Sequence, residues 1–227
     1  MQRLRLRFSR GKEIRFISHL DIVRLWQRAC HRAGIPLAYT EGFSPHPRIS
    51  LAAPLPLGVT SEAELMDIFS SKWITPHFFT AAVGRQLPPG IAILQANQIP
   101  PAMPSLQSQV GHAEYTVTIS TDKEPLDLEQ SISQLLSLEH LPWQHQRDTG
   151  TRNYDLRALI DDIWLIECQP PNGTIGMRLR CDSNGSGRAE QVIAALGLGR
   201  PVAIHRSKFI MKGKRPAPAR NRGTGLK

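Results

Sequence analysis

Residues 2–8, QRLRLRF, alternate arginine with Leu4, Leu6 and Phe8, the period of a strand with one apolar face and one basic face. Ser9–Lys12 reads as a short turn or bulge, after which Ile14–Ile17 is expected to continue extended. The pattern then changes period. Ile22, Leu25, Trp26, Ala29 and Ala33 recur at helical spacing and predict a helix over Ser18–Ala33. Ser18 suits the N-cap, and Asp21 places a carboxylate against the free N–H groups of the first turn. Gly34 and Pro36 stop the helix. Extended segments are expected at Pro36–Thr40, Ile49–Ala53, Glu64–Ser70 and Ile91–Ile99. A second helix is expected over His77–Leu87, behind Thr75-Pro76 as cap and first helical position. The order is β-α-β-β-α-β.

Pro100–Gly111 breaks the pattern with prolines and glutamines and reads as a linker. The same order then returns. Strands are expected at His112–Ser120, Trp143–Arg147, Leu156–Cys168, Thr174–Cys181 and Val202–Met211, with helices at Leu126–Leu138 and Arg188–Leu198. Leu159–Trp164 fits a helix equally well. The expected fold class is α+β, with two tandem ferredoxin-like domains at 1–100 and 112–211, joined by a linker at 101–111. Each would set its helices on one face of an antiparallel sheet and leave the other face available. The last stretch, 212–227, has no apolar face and is expected to be a disordered basic tail.

Charge sharpens this picture. The chain carries +9 overall with a pI near 10, which favours polyanionic partners. The first fifty residues hold ten basic against three acidic residues, and residues 205–227 hold eight against none; the middle is net acidic. Within the first helix Arg24, Arg28 and Arg32 stand four apart, one above another at about 6 Å steps. No acidic residue lies between Val23 and Tyr39. Two readings of this row stand side by side: a solvated face whose long stems cover the core edge, or a line of guanidinium groups that meets phosphates.

The loop Gly42-Phe43-Ser44-Pro45-His46-Pro47-Arg48 is built from residues that restrict or redirect the backbone. Its prolines hold Ser44 and His46 extended, and Gly42 permits a positive φ. A stiff hairpin turn with incidental polar residues would need no more than this. A preorganised ligand loop would present Tyr39, Phe43, Ser44, His46 and Arg48 beside the helix arginines.

The stretch RFISHLDIVRLWQRACHRAGIPLAYTEGFSPHPRISLAAPLPLGVTSEAE, from Arg15 onward, resembles the opening of the radical-SAM-linked family, a domain of unknown function. The matching pieces are RFxSHLD, the RAGIPLAY segment, GFSPHPR, and PLPLG followed by an acidic stretch. YDLRALI, Tyr154–Ile160, is similar to a second segment of that family. The resemblance implies a companion found beside, or fused to, a radical SAM protein and acting with RNA; it supplies no reaction and no catalytic residue. The tandem arrangement also resembles that of RNA-processing proteins of CRISPR systems, a likeness of fold alone.

Candidate chemistry is sparse. Cys30, Cys168 and Cys181 are an odd, widely spaced set without a CxxC pair, as expected for reduced thiols in the cytoplasm. The three-cysteine motif that holds a radical SAM cluster is missing, so a partner would carry that chemistry. No glycine-rich phosphate loop, dinucleotide fingerprint or nucleophile elbow occurs, and His19, His31, His46 and Asp21 lack metal-ligand spacing. No cofactor or metal is expected. Neither a membrane-spanning run nor a signal-peptide core is present in the sequence, and a cytoplasmic location is expected. Three functions follow: a non-catalytic RNA-binding companion of a radical SAM enzyme; a metal-independent endoribonuclease with His46 as base and Arg48 and Arg28 on the phosphate; or a module that docks on the radical SAM protein itself. The second needs His46 paired with His19 or Tyr39, the loop folding over the helix N-terminus.

Overall fold

A computed structural model describes residues 1–147 and 150–213, with the side chains of 146 and 147 left out of the account. The chain divides into two units, Met1–Val110 and Gly111–Lys227. The first contains β1 (Gln2–Arg10), α1 (His19–Arg32), β2 (Ile49–Leu51), β3 (Thr60–Ser70), α2 (Pro76–Gly84), β4 (Ile91–Ile99) and a one-turn α3 (Leu106–Gln109). Its strands lie in the order β2-β3-β1-β4, every neighbouring pair antiparallel.

The alternation of β1 explains the core. Leu4, Leu6 and Phe8 are completely buried in one cluster with Ile22, Trp26 and Ala29 of α1 and Phe79 and Val83 of α2. Phe8 meets the Trp26 ring edge-on, centroids 5.0 Å apart. The helix ends match the expectation: Ser18 accepts from the Asp21 amide at 3.2 Å and donates to its carboxylate at 2.7 Å, and Gly34 takes φ +69° just past the last turn. Thr75 caps α2 with Pro76 next to it, also as expected.

Two expected extended segments are not strands. Ile14–Ile17 gives way to a 3-10 turn at Lys12–Ile14, because the Gly11 amide pairs with Gly90 (2.7 Å) and the chain curls to bury Ile14. Pro36–Thr40 makes only isolated bridges, Leu37 to Ser70 and Tyr39 to Pro47. Pro36 has no N–H, and its carbonyl is taken by the Ser71 amide and the Ser70 hydroxyl.

The basic face of β1 is not free either. Arg3 and Arg5 both grip Asp67 of β3, at 2.6 and 2.8 Å, and Asp67 is wholly buried. Arg3 also donates to the carbonyls of Pro101, Met103 and Pro104. Gln107 donates to Ser50 Oγ and the Leu51 carbonyl, both at 2.7 Å, and Leu106 is fully buried. The segment expected as a linker therefore lies on the sheet face expected to be open.

The second unit contains β5 (Val110–Ser120, beginning one residue before the division), α4 (Pro125–Ser137), β6 (Pro142–Arg147), β7 (Gly150–Asp155), β8 (Ile160–Gln169), β9 (Asn172–Asp182), a short β10 (Gly185–Ser186), α5 (Ala189–Ala195) and β11 (Ala203–Met211). Its sheet runs β8-β9-β5-β11, with β10 also on β9, and β6 and β7 pair as a separate hairpin. Leu159–Trp164, open between helix and strand in sequence, is mostly strand: β8 begins at Ile160 after a 3-10 turn. β7 was not expected at all. Val117, Ile119, Leu128, Ile175, Met177 and Val192 form the buried interior. Arg178 is buried between Glu114 (2.9 Å) and Asp161 (3.2 Å). The expected basic tail lies outside the described residues from 214 onward.

Candidate nucleic-acid interface

The spacing of Arg24, Arg28 and Arg32 puts all three along one cleft of about 710 Å³. Phe16, Leu25 and Leu87 add apolar surface to its lining, and Gln86 after α2 lines it as well. The three cations are held differently. Arg24 meets Asp21 at 3.1 Å, but both side chains are more than half exposed, so solvent screens most of the attraction. The Ser18 hydroxyl, then Arg24, holds the Asp21 carboxyl below its ordinary value. Arg32 donates to the Gln86 carbonyl at 2.7 Å and to its Oε1 at 3.3 Å, which positions the guanidinium and leaves its charge uncancelled. Arg28 makes no hydrogen bond or ion pair among the described residues, although its charge helps lower Asp21. Asp21 is thus the one carboxylate among the residues that line the cleft with these three arginines. Gln86 and Leu87 carry no signal of this role in the sequence; only the packing of α1 against α2 brings them there.

Two hydrogen bonds close the base of the Gly42–Arg48 loop. Thr40 and His46 close its base through Thr40 N to the His46 carbonyl (2.8 Å) and His46 N to Thr40 Oγ1 (3.0 Å). Gly42 uses φ +115°. Tyr39, Phe43, Ser44 and His46 are exposed, Phe43 completely. The Arg48 guanidinium carbon lies over the Phe69 ring, 4.3 Å from its centroid, and Arg48 donates to Met1 Sδ at 3.0 Å.

The expected union of loop and helix arginines does not form. None of Tyr39, Phe43, Ser44, His46 or Arg48 lines the α1 cleft. The loop is anchored at the Met1 end of β1, whereas His19 feels the charges of Arg10 and Glu64 at the other end. A nine-residue strand separates those ends by roughly 30 Å. The His46–His19 pairing that an acid–base mechanism needs is therefore absent. Burial, then the nearby Arg10, pushes the half-buried His19 below its ordinary value. His46 and Tyr39 do share the loop base, through the Tyr39–Pro47 bridge.

Among the described residues no group of three or more His, Cys, Asp or Glu could hold a metal ion, and no helix is long and apolar enough to cross a membrane. Residues 3–189 match the family described as "Uncharacterized protein conserved in bacteria (DUF2344)". No curated protein matches the chain. Among solved structures, a chain of a Cbf5-Nop10-Gar1 complex is similar at 9% identity and TM-score 0.48, covering 91% of this chain and 48% of that one. A chain of the archaeal box H/ACA sRNP Nop10-Cbf5 complex gives 10% and 0.47, covering 89% and 46%. A chain of an H/ACA RNP bound to a substrate RNA containing 2'-deoxyuridine gives 9% and 0.48, covering 91% and 47%. This chain spans about half the length of each of these three chains.

Proposed function

The chain belongs to this family of uncharacterized bacterial proteins, and we propose that it binds RNA along the α1 cleft as the non-catalytic companion of a radical SAM enzyme. The cleft carries the RNA part of this reading. Three guanidinium groups along one cleft repel one another, one carboxylate offsets them weakly, and a polyanion laid along the row relieves the repulsion. The apolar residues in its lining suit the face of a base or sugar. Phe43, held out in solvent on a closed loop, is a second contact available to single-stranded RNA without new ordering of the backbone.

The radical SAM part rests on the resemblance of the segment from Arg15 onward. The three cysteines stand apart, and burial pushes the Cys30 thiol up to about 12, far from a ligating thiolate. Cluster chemistry is accordingly assigned to the partner. We read both units as ferredoxin-like: the order β2-β3-β1-β4 recurs as β8-β9-β5-β11, with the β6–β7 hairpin inserted.

The test is the Arg24→Glu/Arg28→Glu variant of the full chain on single-stranded RNA across a salt series. Two lost phosphate contacts should reduce the log–log salt slope by about 1.4, with the circular dichroism spectrum unchanged. Unaltered affinity and slope overturn the RNA reading. If this face instead captures purified radical SAM protein in the absence of RNA, it is a protein-docking surface.

A further inference from the structure

The second unit holds a cationic site that the α1 reading does not use. A cavity of about 220 Å³ is lined by Arg152 of β7, Arg180 of β9 and Arg188 ahead of α5, with Tyr154 at its side. These arginines come from three separate elements, so no sequence spacing announces them. The carboxylates nearby are already engaged. Asp155 accepts from His140 Nδ1 and from the amides of Leu141 and Arg157, each at 2.9 Å. Asp182 accepts from Arg180 (3.2 Å) and from the Asn184 and Gly185 amides. Arg152 and Arg188 have no carboxylate partner among the described residues; Arg152 lies 5.9 Å over the Tyr154 ring.

A second, larger cavity of about 660 Å³ shares Tyr154 and Asp155 with the first and is lined by Trp143. Trp143 and Tyr154 are direct cross-strand partners in the hairpin, and His145 and Arg152 are the next pair on the same face. The hairpin therefore carries an aromatic pair and then a basic pair. Tyr154 is fixed from the other side, its hydroxyl donating to Gln191 of α5, which is buried.

We infer that this hairpin and its neighbouring arginines bind one nucleotide unit of single-stranded RNA, the base on the Trp143–Tyr154 side and the phosphate among Arg152, Arg180 and Arg188. Size divides the labour. The smaller cavity falls below the roughly 300–1,000 Å³ of ordinary small-molecule pockets, room for a phosphate and part of a sugar, while the adjoining one has room for a base. An aromatic platform beside guanidinium groups matches stacking plus backbone contact in single-stranded nucleic-acid recognition. The site lies in the other unit and stands whether or not the α1 cleft binds RNA.

The experiment uses the full chain carrying Arg24→Glu/Arg28→Glu, so that the α1 cleft is silent, and a fluorescent oligouridylate read by anisotropy. Arg152→Ala/Arg188→Ala should weaken binding at least ten-fold, and Trp143→Ala by a comparable factor. Both exposed arginines can be replaced without touching the interior, and circular dichroism checks the fold. Competition by uridine monophosphate as well as by the strand identifies a free nucleotide as ligand; competition by the strand alone identifies RNA; either supports the site. Equal binding by the parent and Arg152→Ala/Arg188→Ala chains, or competition by a phosphoserine peptide but not by nucleotides, overturns it.

Discussion

Replacing Asp67 by asparagine removes the one anion that two arginines of β1 depend on. The carboxylate stands opposite Arg5 in the register and receives four contacts: Arg3 Nε and Nη2 at 3.2 and 2.6 Å, and Arg5 Nε and Nη2 at 2.8 and 3.0 Å. Side-chain exposure is 1% for Asp67, 4% for Arg3 and 15% for Arg5. An asparagine keeps one acceptor oxygen, but its NH₂ faces guanidinium donors and two positive charges lose their counterion. Breaking a buried pair from one side costs about 3–5 kcal/mol. Arg3 keeps its carbonyl acceptors in the 101–104 segment, and Arg5 reaches the edge of solvent, so the lower end, about 3 kcal/mol, is expected. Urea unfolding read by hydrogen exchange at the β1 amides isolates this unit. With m of about 1–3 kcal/mol/M, the midpoint should fall by about 1–3 M with m unchanged. An apolar replacement of all three, Arg3→Met, Arg5→Leu and Asp67→Leu together, should recover much of the loss. A loss below about 1 kcal/mol for Asp67→Asn would place the triad with surface pairs and refute the reasoning.

Gly176 lies opposite Trp164, and a Cβ there would sit 2.2 Å from the indole. Gly176→Ala should cost about 1–3 kcal/mol and shift the Trp164 emission, and wild-type stability in urea would refute it. Asp155 ties the base of the β6–β7 hairpin, and its contacts, the His140 hydrogen bond first, pull its carboxyl down to about 2. A depressed folded value means the stabilisation is complete above the unfolded value near 4 and is lost as pH falls through about 2. Protection of the hairpin amides, taken against the intrinsic exchange rate at each pH, should fall over that window, and Asp155→Asn should show the lowered protection already at neutral pH.

Local signals in the sequence located α1, α2 and most of the strands, because Ser18, Gly34 and Thr75-Pro76 act on their immediate neighbours. The arginine row was legible for the same reason: helical spacing alone sets it on one line. What failed depended on distant partners. β7, GTRNYD, has no apolar alternation and exists only because each residue finds a mate in β6. Arg3 and Arg5 look like a solvent-facing basic stripe until Asp67 arrives more than sixty residues later. The clue was there, an aspartate inside the apolar run ELMDIFS, but only the antiparallel register turns it toward those arginines. His46 and the α1 row were separated by one thing the pattern does not encode, which end of the helix the returning chain passes.

The hold of Arg3 on the carbonyls of residues 101–104 decides where this protein can be dissected. A chain cut after Ile99, where the last long strand ends, would bare a guanidinium that has lost its amide cover and strip the Leu106 turn from the sheet. A fragment carried through to Val110 keeps that cover.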